Sequence, residues 1–198
     1  MGLLPAYFVF VGMAINFVGS LGYFVETLKG EVKPNRISWG LWAFISIIGF
    51  TIQYSETRSD TAFFTLVAGL IPLCVFIASF FNKDAYWQLG KQDYIAGFIS
   101  VIAVIIWLLA DNPLLALSFS ILADCAAAAP TLYKAYIEPL TETALPYASA
   151  GLGAALSILS AESGSDFMEL AYAVYIFIIC IFLAGTIIIR KRVKLKQK

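Results

Sequence analysis

Apolar residues fill this chain in seven blocks, at about 5–27, 37–54, 61–81, 91–110, 114–136, 144–160 and 167–189. Each is close to the roughly 20 residues that an α-helix needs to cross a hydrocarbon core of about 30 Å. The separators are brief: "KGEVKPNR", "SETRSD", "NKDAYWQLG", "DNP", "IEPLTE" and "ESGSD" leave no room for a soluble domain. The pattern predicts an all-α integral membrane protein with seven transmembrane helices, in which any site must lie between helices. The first block follows an uncharged start and lacks both a basic n-region and a small-residue cleavage site, so it is expected to be a retained span.

The polar positions inside the blocks repeat. "LCVFIA" (73–78) matches "ICIFLA" (179–184) at an offset of 106, with Asp60 and Asp166 at the two helix starts in the same register. At an offset of 104, Asn16, Ser20, Tyr23 and Thr27 fall opposite Ser120, Asp124, Ala127 and Thr131, and "TL" follows in both. Steps of 4, 3 and 4 keep each set on one helical face. The second and sixth blocks align through "ISWGLWAFIS" and "LPYASAGLGA", with Pro34 and Pro139 in the loops before them. A three-helix unit reverses its orientation when repeated directly, so the fourth block is expected to be an inverting linker. The fold expected is 3+1+3: two parallel three-helix repeats, 1–81 and 112–189, joined by a linker with the fourth helix, 82–111, and followed by a basic cytoplasmic tail, 190–198. Parallel repeats about an axis along the membrane normal are a transporter design, with the site near the midplane.

Composition strengthens the membrane assignment and narrows the chemistry. Hydrophobic residues make up 61% of the chain and charged ones only 13%, too apolar for a soluble domain. With no histidine and a net charge of zero, neither a nucleic-acid surface nor an imidazole-based metal or catalytic site is indicated. Cys74, Cys125 and Cys180 all lie in apolar runs, where a thiol behaves as a small hydrophobe, and their spacing fits no zinc pattern. No disulfide, metal or cofactor is expected. Of the 13 Lys and Arg, only Arg58 falls on one side of the expected topology. Lys29, Lys33, Arg36, Lys83, Lys91, Lys134 and the cluster "RKRVKLKQK" fall on the other. Because basic residues near helix ends stay in the cytoplasm, the N-terminus is expected outside and the C-terminus inside a plasma or inner membrane. The tail serves as a topology anchor and is also suited to anionic lipid.

Asp124 is the residue that most needs explaining. It is the eleventh of its block, roughly 15 Å deep by helical rise, near the centre of the core. Acids at that depth face a bundle interior or a wet cavity and mark an ion, proton or substrate path; the alternative is a packing group hydrogen-bonded to neighbouring helices. A carboxyl that is neutral when buried and charged when a cavity wets can act as a proton-coupling or substrate-binding switch. Ala126 to Ala129 allow close helix approach or leave space, and Pro130 with Thr131 offers a hinge one turn on, or an ordinary transmembrane kink. Asn16, Ser20 and Ser120 are further cavity candidates, with interhelical hydrogen bonding as the competing role. Trp39 and Trp42, three residues apart, suit either stacking on a solute or an interfacial aromatic belt, and Tyr147 in the second repeat shares that ambiguity.

The helix order, the outside N-terminus and a proline dipeptide near the cytoplasmic end of a repeat's first helix resemble the PQ-loop clan, which includes SWEET sugar transporters, SemiSWEETs and cystinosin-like exporters. Pro130-Thr131 stands where that clan has Pro-Gln, and Glu26-Thr27 holds the place in the first repeat. "KGEVKPNRISWGLW" (29–42) is similar to the basic loop and Ser-containing helix that follow a PQ helix. The resemblance implies transport of a small solute by rocking of the two halves, with the lipid bilayer as environment and a homo-oligomer left open. A ligand-binding receptor on the same scaffold is the main alternative. An assembly protein, for which Asp124 would be dispensable, is another. An enzyme is not expected, because no cluster of nucleophile, base and water-exposed polar groups stands out.

Overall fold

The computed structural model describes residues 3–5, 7–57, 61–83, 87–161 and 167–197. Seven α-helices occupy them: α1 Phe8–Lys29, α2 Arg36–Thr57, α3 Thr61–Ala78, α4 Lys91–Leu109, α5 Pro113–Ile137, α6 Leu145–Ser160 and α7 Phe167–Lys196. A short 3-10 turn, Pro139–Thr141, links α5 to α6. Arg58, Asp60 and Asp166 lie outside the described residues.

The helix ends follow from local chemistry. Gly30 adopts a left-handed conformation (φ 76°) past α1, and its N–H and that of Glu31 close back on the last-turn carbonyls of Glu26 and Thr27. Asn112 caps α5 by accepting from the N–H groups of Leu114 and Leu115, with Pro113 at the first helical position, where no N–H is needed. Asp93 reaches back to the Gly90 N–H at the start of α4. Two helices end against cations from neighbours. Arg36 donates to the carbonyl and hydroxyl of Ser79 at the end of α3. On α7, Arg190 donates to the Tyr136 carbonyl and Lys194 to that of Ile137, both at the end of α5. The basic segment expected as a tail is therefore largely a helical extension of α7, two of whose charges cap a neighbour.

α3 touches both α1 and α2, and α7 touches both α5 and α6. α1 packs most extensively on α6, α2 also meets α5, and α4 lies chiefly against α5 and to a lesser extent against α2. The α1–α6 seam is close because it is built on glycine: a methyl added at Gly12 would stand 2.9 Å from the Gly153 carbonyl oxygen. One apolar core, with Tyr23, Trp39, Val75, Ala135, Tyr147 and Ile187 among its members, draws on every helix except α4. A smaller one joins Ile45, Ala103, Val104 and Ala123 of α2, α4 and α5.

Three helices, Phe8–Lys29, Lys91–Leu109 and the Leu170–Lys196 portion of α7, are long and apolar enough to cross a membrane. Only 22–28% of each apolar window is buried inside the protein. The rest includes Phe10, Phe17 and Leu21 of α1 and Phe98, Ile102 and Ile105 of α4, all exposed. Apolar faces of that extent require a non-aqueous neighbour.

Candidate functional site

The polar stripe of α1 and its counterpart on α5 are buried faces. Asn16, Ser20, Tyr23 and Thr27 are all withdrawn from the surface, as are Ser120, Asp124, Ala127 and Thr131. The helical spacing produces this directly, since residues at steps of 4, 3 and 4 turn the same way. The two stripes have different partners. Asn16 and Ser20 bond to each other, the Ser20 hydroxyl donating to Asn16 Oδ1 at 3.1 Å, on a helix seated against α6. Asp124, 5% exposed, accepts a 2.6 Å hydrogen bond from the Tyr175 hydroxyl on α7. Among the described residues no hydrogen bond joins Asn16 or Ser20 to Asp124, and α1 and α5 do not pack together.

Asp124 lies halfway along the 25-residue α5. Its neighbourhood is Tyr175, with the Tyr172 ring tilted against it at 5.9 Å between centroids, and Ser120 one turn earlier. A Tyr hydroxyl both satisfies a carboxylate oxygen and remains able to exchange partners with water or a solute. Ser100 of α4 donates to the carbonyl of Ala123, which fixes the backbone beside Asp124. Pro130 lies inside α5, which is assigned as one helix through it, and Thr131 next to it is buried.

The aromatic candidates come together at another level of the bundle. Trp39 stacks on Tyr23 at 4.6 Å between centroids, meets Trp42 edge-on at 5.4 Å, and lies 6.3 Å from Tyr147. Trp42 is also 6.3 Å from Tyr147. An interfacial belt requires a lipid-facing ring, and Trp39 is only 3% exposed. The belt role expected as one alternative therefore does not hold for Trp39, whose ring is enclosed by α1, α2 and α6.

Beneath these rings is a pair the sequence did not single out. Lys134 of α5 and Glu142 before α6 form a 2.6 Å ion pair with both side chains fully buried. The Lys134 ammonium also donates to the backbone carbonyls of Lys33 and Thr141, and the Tyr23 hydroxyl donates to the other Glu142 oxygen at 2.9 Å. The Lys33 N–H donates to Thr141 O at 3.0 Å, so the α1–α2 and α5–α6 loops are bonded to each other. In the sequence Lys134 reads as a basic residue near a helix end. The signal that locates it is the stripe itself, because the steps 120, 124, 127, 131 continue at 134 on the same face.

The Ser38 and Thr131 hydroxyls are buried with no hydrogen-bond partner among the described residues, and the Trp39 indole N–H and Tyr147 hydroxyl face Tyr23 and Glu142 without a bond of ordinary geometry. Leaving one unmet costs about 1–3 kcal/mol. Trp39 and Tyr147 belong to the aromatic cluster, and Thr131 lies one turn before Lys134 and Ala135. Nothing among the described residues groups His, Cys, Asp and Glu as a metal site would. No family model, no curated protein and no solved structure matches this chain.

Proposed function

We propose that the protein is a seven-span carrier of a small solute, working by alternating access between two three-helix halves joined by α4, with Asp124 as its proton- or substrate-binding switch. The observation that carries this reading is the exchange symmetry of the packing: helices matched by the repeat occupy matched places. α3 and α7 are each central to a triplet, and the halves meet through α1 with α6 and α2 with α5. Such pairing provides two corresponding seams, the α1–α6 one the more extensive, on which halves can rock about an axis along the membrane normal. Asp124 adds a carboxylate within an apolar bundle, bonded to a tyrosine and to no cation among the described residues. The shorter helices, such as the 16-residue α6, span a hydrocarbon core with local thinning or with their polar flanks reaching the interface. The basic-residue bias sets the N-terminus outside and the C-terminus in the cytoplasm of a cell membrane. Kinship with the PQ-loop carriers belongs to the same proposal, through Pro130-Thr131 and the loop at 29–42.

The test is a thermal-shift screen of purified protein against sugars, amino acids and small organic acids at two pH values, followed by liposome uptake of each binder. A ligand at about 100 times its Kd stabilises the folded state by about 2.7 kcal/mol. The carrier is expected to show such a shift with pH dependence, to accumulate the binder in liposomes, and to lose the pH dependence but not the fold in Asp124→Asn. Binding without uptake would favour the receptor alternative, and an unchanged pH profile in Asp124→Asn would reduce Asp124 to a packing group.

A further inference from the structure

We infer that Lys134 and Glu142 form a latch that holds the two halves together at the loop end of the bundle, and that the conformation described is the state closed at that end; this rests on the carrier reading. The two repeats contribute different parts. From the second come Lys134 on α5, Glu142 and the Thr141 carbonyl; from the first come the Lys33 carbonyl and N–H and the Tyr23 hydroxyl. Every donor of the ammonium group has an acceptor, and one of those acceptors lies on the opposite half. An ordinary packing contact would not need a fully buried charge reaching across the seam.

The latch closes over material that is incompletely satisfied. Tyr23 connects the ion pair to Trp39, whose indole N–H faces the Tyr23 side chain without a hydrogen bond of ordinary geometry, as the Tyr147 hydroxyl faces Glu142. Ser38 and Thr131, one on each half, add two more such groups at the same end. Water admitted between the halves would hydrate all four, so the closed arrangement holds polar groups whose needs are met by opening. The ion pair itself lies within the second half and positions two of the three bonds that cross the seam at this end, Lys134 to the Lys33 carbonyl and Tyr23 to Glu142, the third being the Lys33 N–H to the Thr141 carbonyl. The aromatic rings are in mutual contact in this state, which makes them the plug that the latch holds in place.

Removing only one charge would leave the other buried and unpaired, so the informative variant is Lys134→Met with Glu142→Gln, which removes both. Hydrogen–deuterium exchange of the full chain in lipid nanodiscs reads opening without knowledge of the solute. Peptides covering 30–38 and 138–147 are expected to exchange about fivefold or more faster in the double variant, while 71–78 of α3 keeps its wild-type rate. Tyr23→Phe, which removes one hydrogen bond and is compatible with the fold, is expected to give a smaller increase in the same two peptides. Wild-type exchange at 30–38 and 138–147 in either folded variant overturns the latch. The carrier reading is judged on a separate signal: if it fails, the loop peptides still open but the far end, where the Leu4 N–H bonds the Leu159 carbonyl, exchanges as before and no solute is taken up.

Discussion

A lysine with no exposed side-chain surface is unusual enough that its surroundings must answer for it. Lys134 is answered by one carboxylate and two carbonyls, and Glu142 by the ammonium and the Tyr23 hydroxyl. Such pairs contribute little net stability relative to apolar replacements, because desolvation offsets attraction, yet they are severe to break on one side. Lys134→Met alone is therefore expected to destabilise the protein by about 3–5 kcal/mol, and Glu142→Gln added to it to restore most of that. Thermal unfolding of the two single variants and the double variant in detergent measures the coupling. Additive losses would show that the two residues do not act as a pair. The same residues show where sequence reading stopped. Periodicity located the face on which Lys134 sits, but Glu142 follows a turn, and no periodicity connects a loop residue to a helix eight positions earlier. Tyr175 escaped for a related reason: its bond to Asp124 spans 51 positions and depends on how α7 lies against α5.

Helix bounds were legible to within three residues at every end but that of α7, because most apolar blocks have explicit stops. The expected block at 91–110 became Lys91–Leu109 with Asp93 at its start, and that at 114–136 became Pro113–Ile137 with Asn112 as cap. The block at 167–189 ran on to Lys196, since basic residues that find carbonyls at the end of α5 have reason to stay helical. Which glycines matter could not be read, because close approach is a property of two helices. Gly12 and Gly153 face each other so closely that a methyl at Gly12 would press on backbone atoms of Gly153, which cannot rotate away. Gly185 of α7 has nothing within 4 Å of where its methyl would be. Gly12→Ala is thus expected to cost about 1–3 kcal/mol through overpacking of the seam. Gly185→Ala should be neutral or gain up to about 1 kcal/mol from helix propensity. Equal melting temperatures for the two variants would mean that the α1–α6 seam yields freely.

The repeat connects sequence to whole molecule. Offsets of 104 and 106 placed α1 against α5 and α3 against α7 in an alignment, and the packing gives the members of each pair corresponding neighbours, with α4 in addition on α5. The alignment could not say that the stripes of α1 and α5 would face different partners, because equivalence under a repeat is not contact. In the proposed carrier, orientation in the membrane is the property of the whole that the basic residues would decide. Lys83 and Lys91 lie before or at the start of α4, and Arg190, Lys191, Arg192, Lys194 and Lys196 lie at the end of α7, whereas the turn between α4 and α5 carries Asp111 and no cation. Asn35 would be a poor reporter of sidedness because it is fully buried, its amide donating to Asp93 at 2.7 Å. Exposed positions serve instead. In a background without the native cysteines, Asp111→Cys is expected to react with an impermeant maleimide applied to intact cells. Lys196→Cys should react only after the membrane is opened. If both react from outside, α4 through α7 cannot cross as proposed; if the pattern is reversed, the carrier stands but its latch faces outward. The distinction matters chemically, because in the proposed carrier a gate held by Lys134 and Glu142 on the cytoplasmic side would leave Asp124 to meet solute and protons arriving from outside.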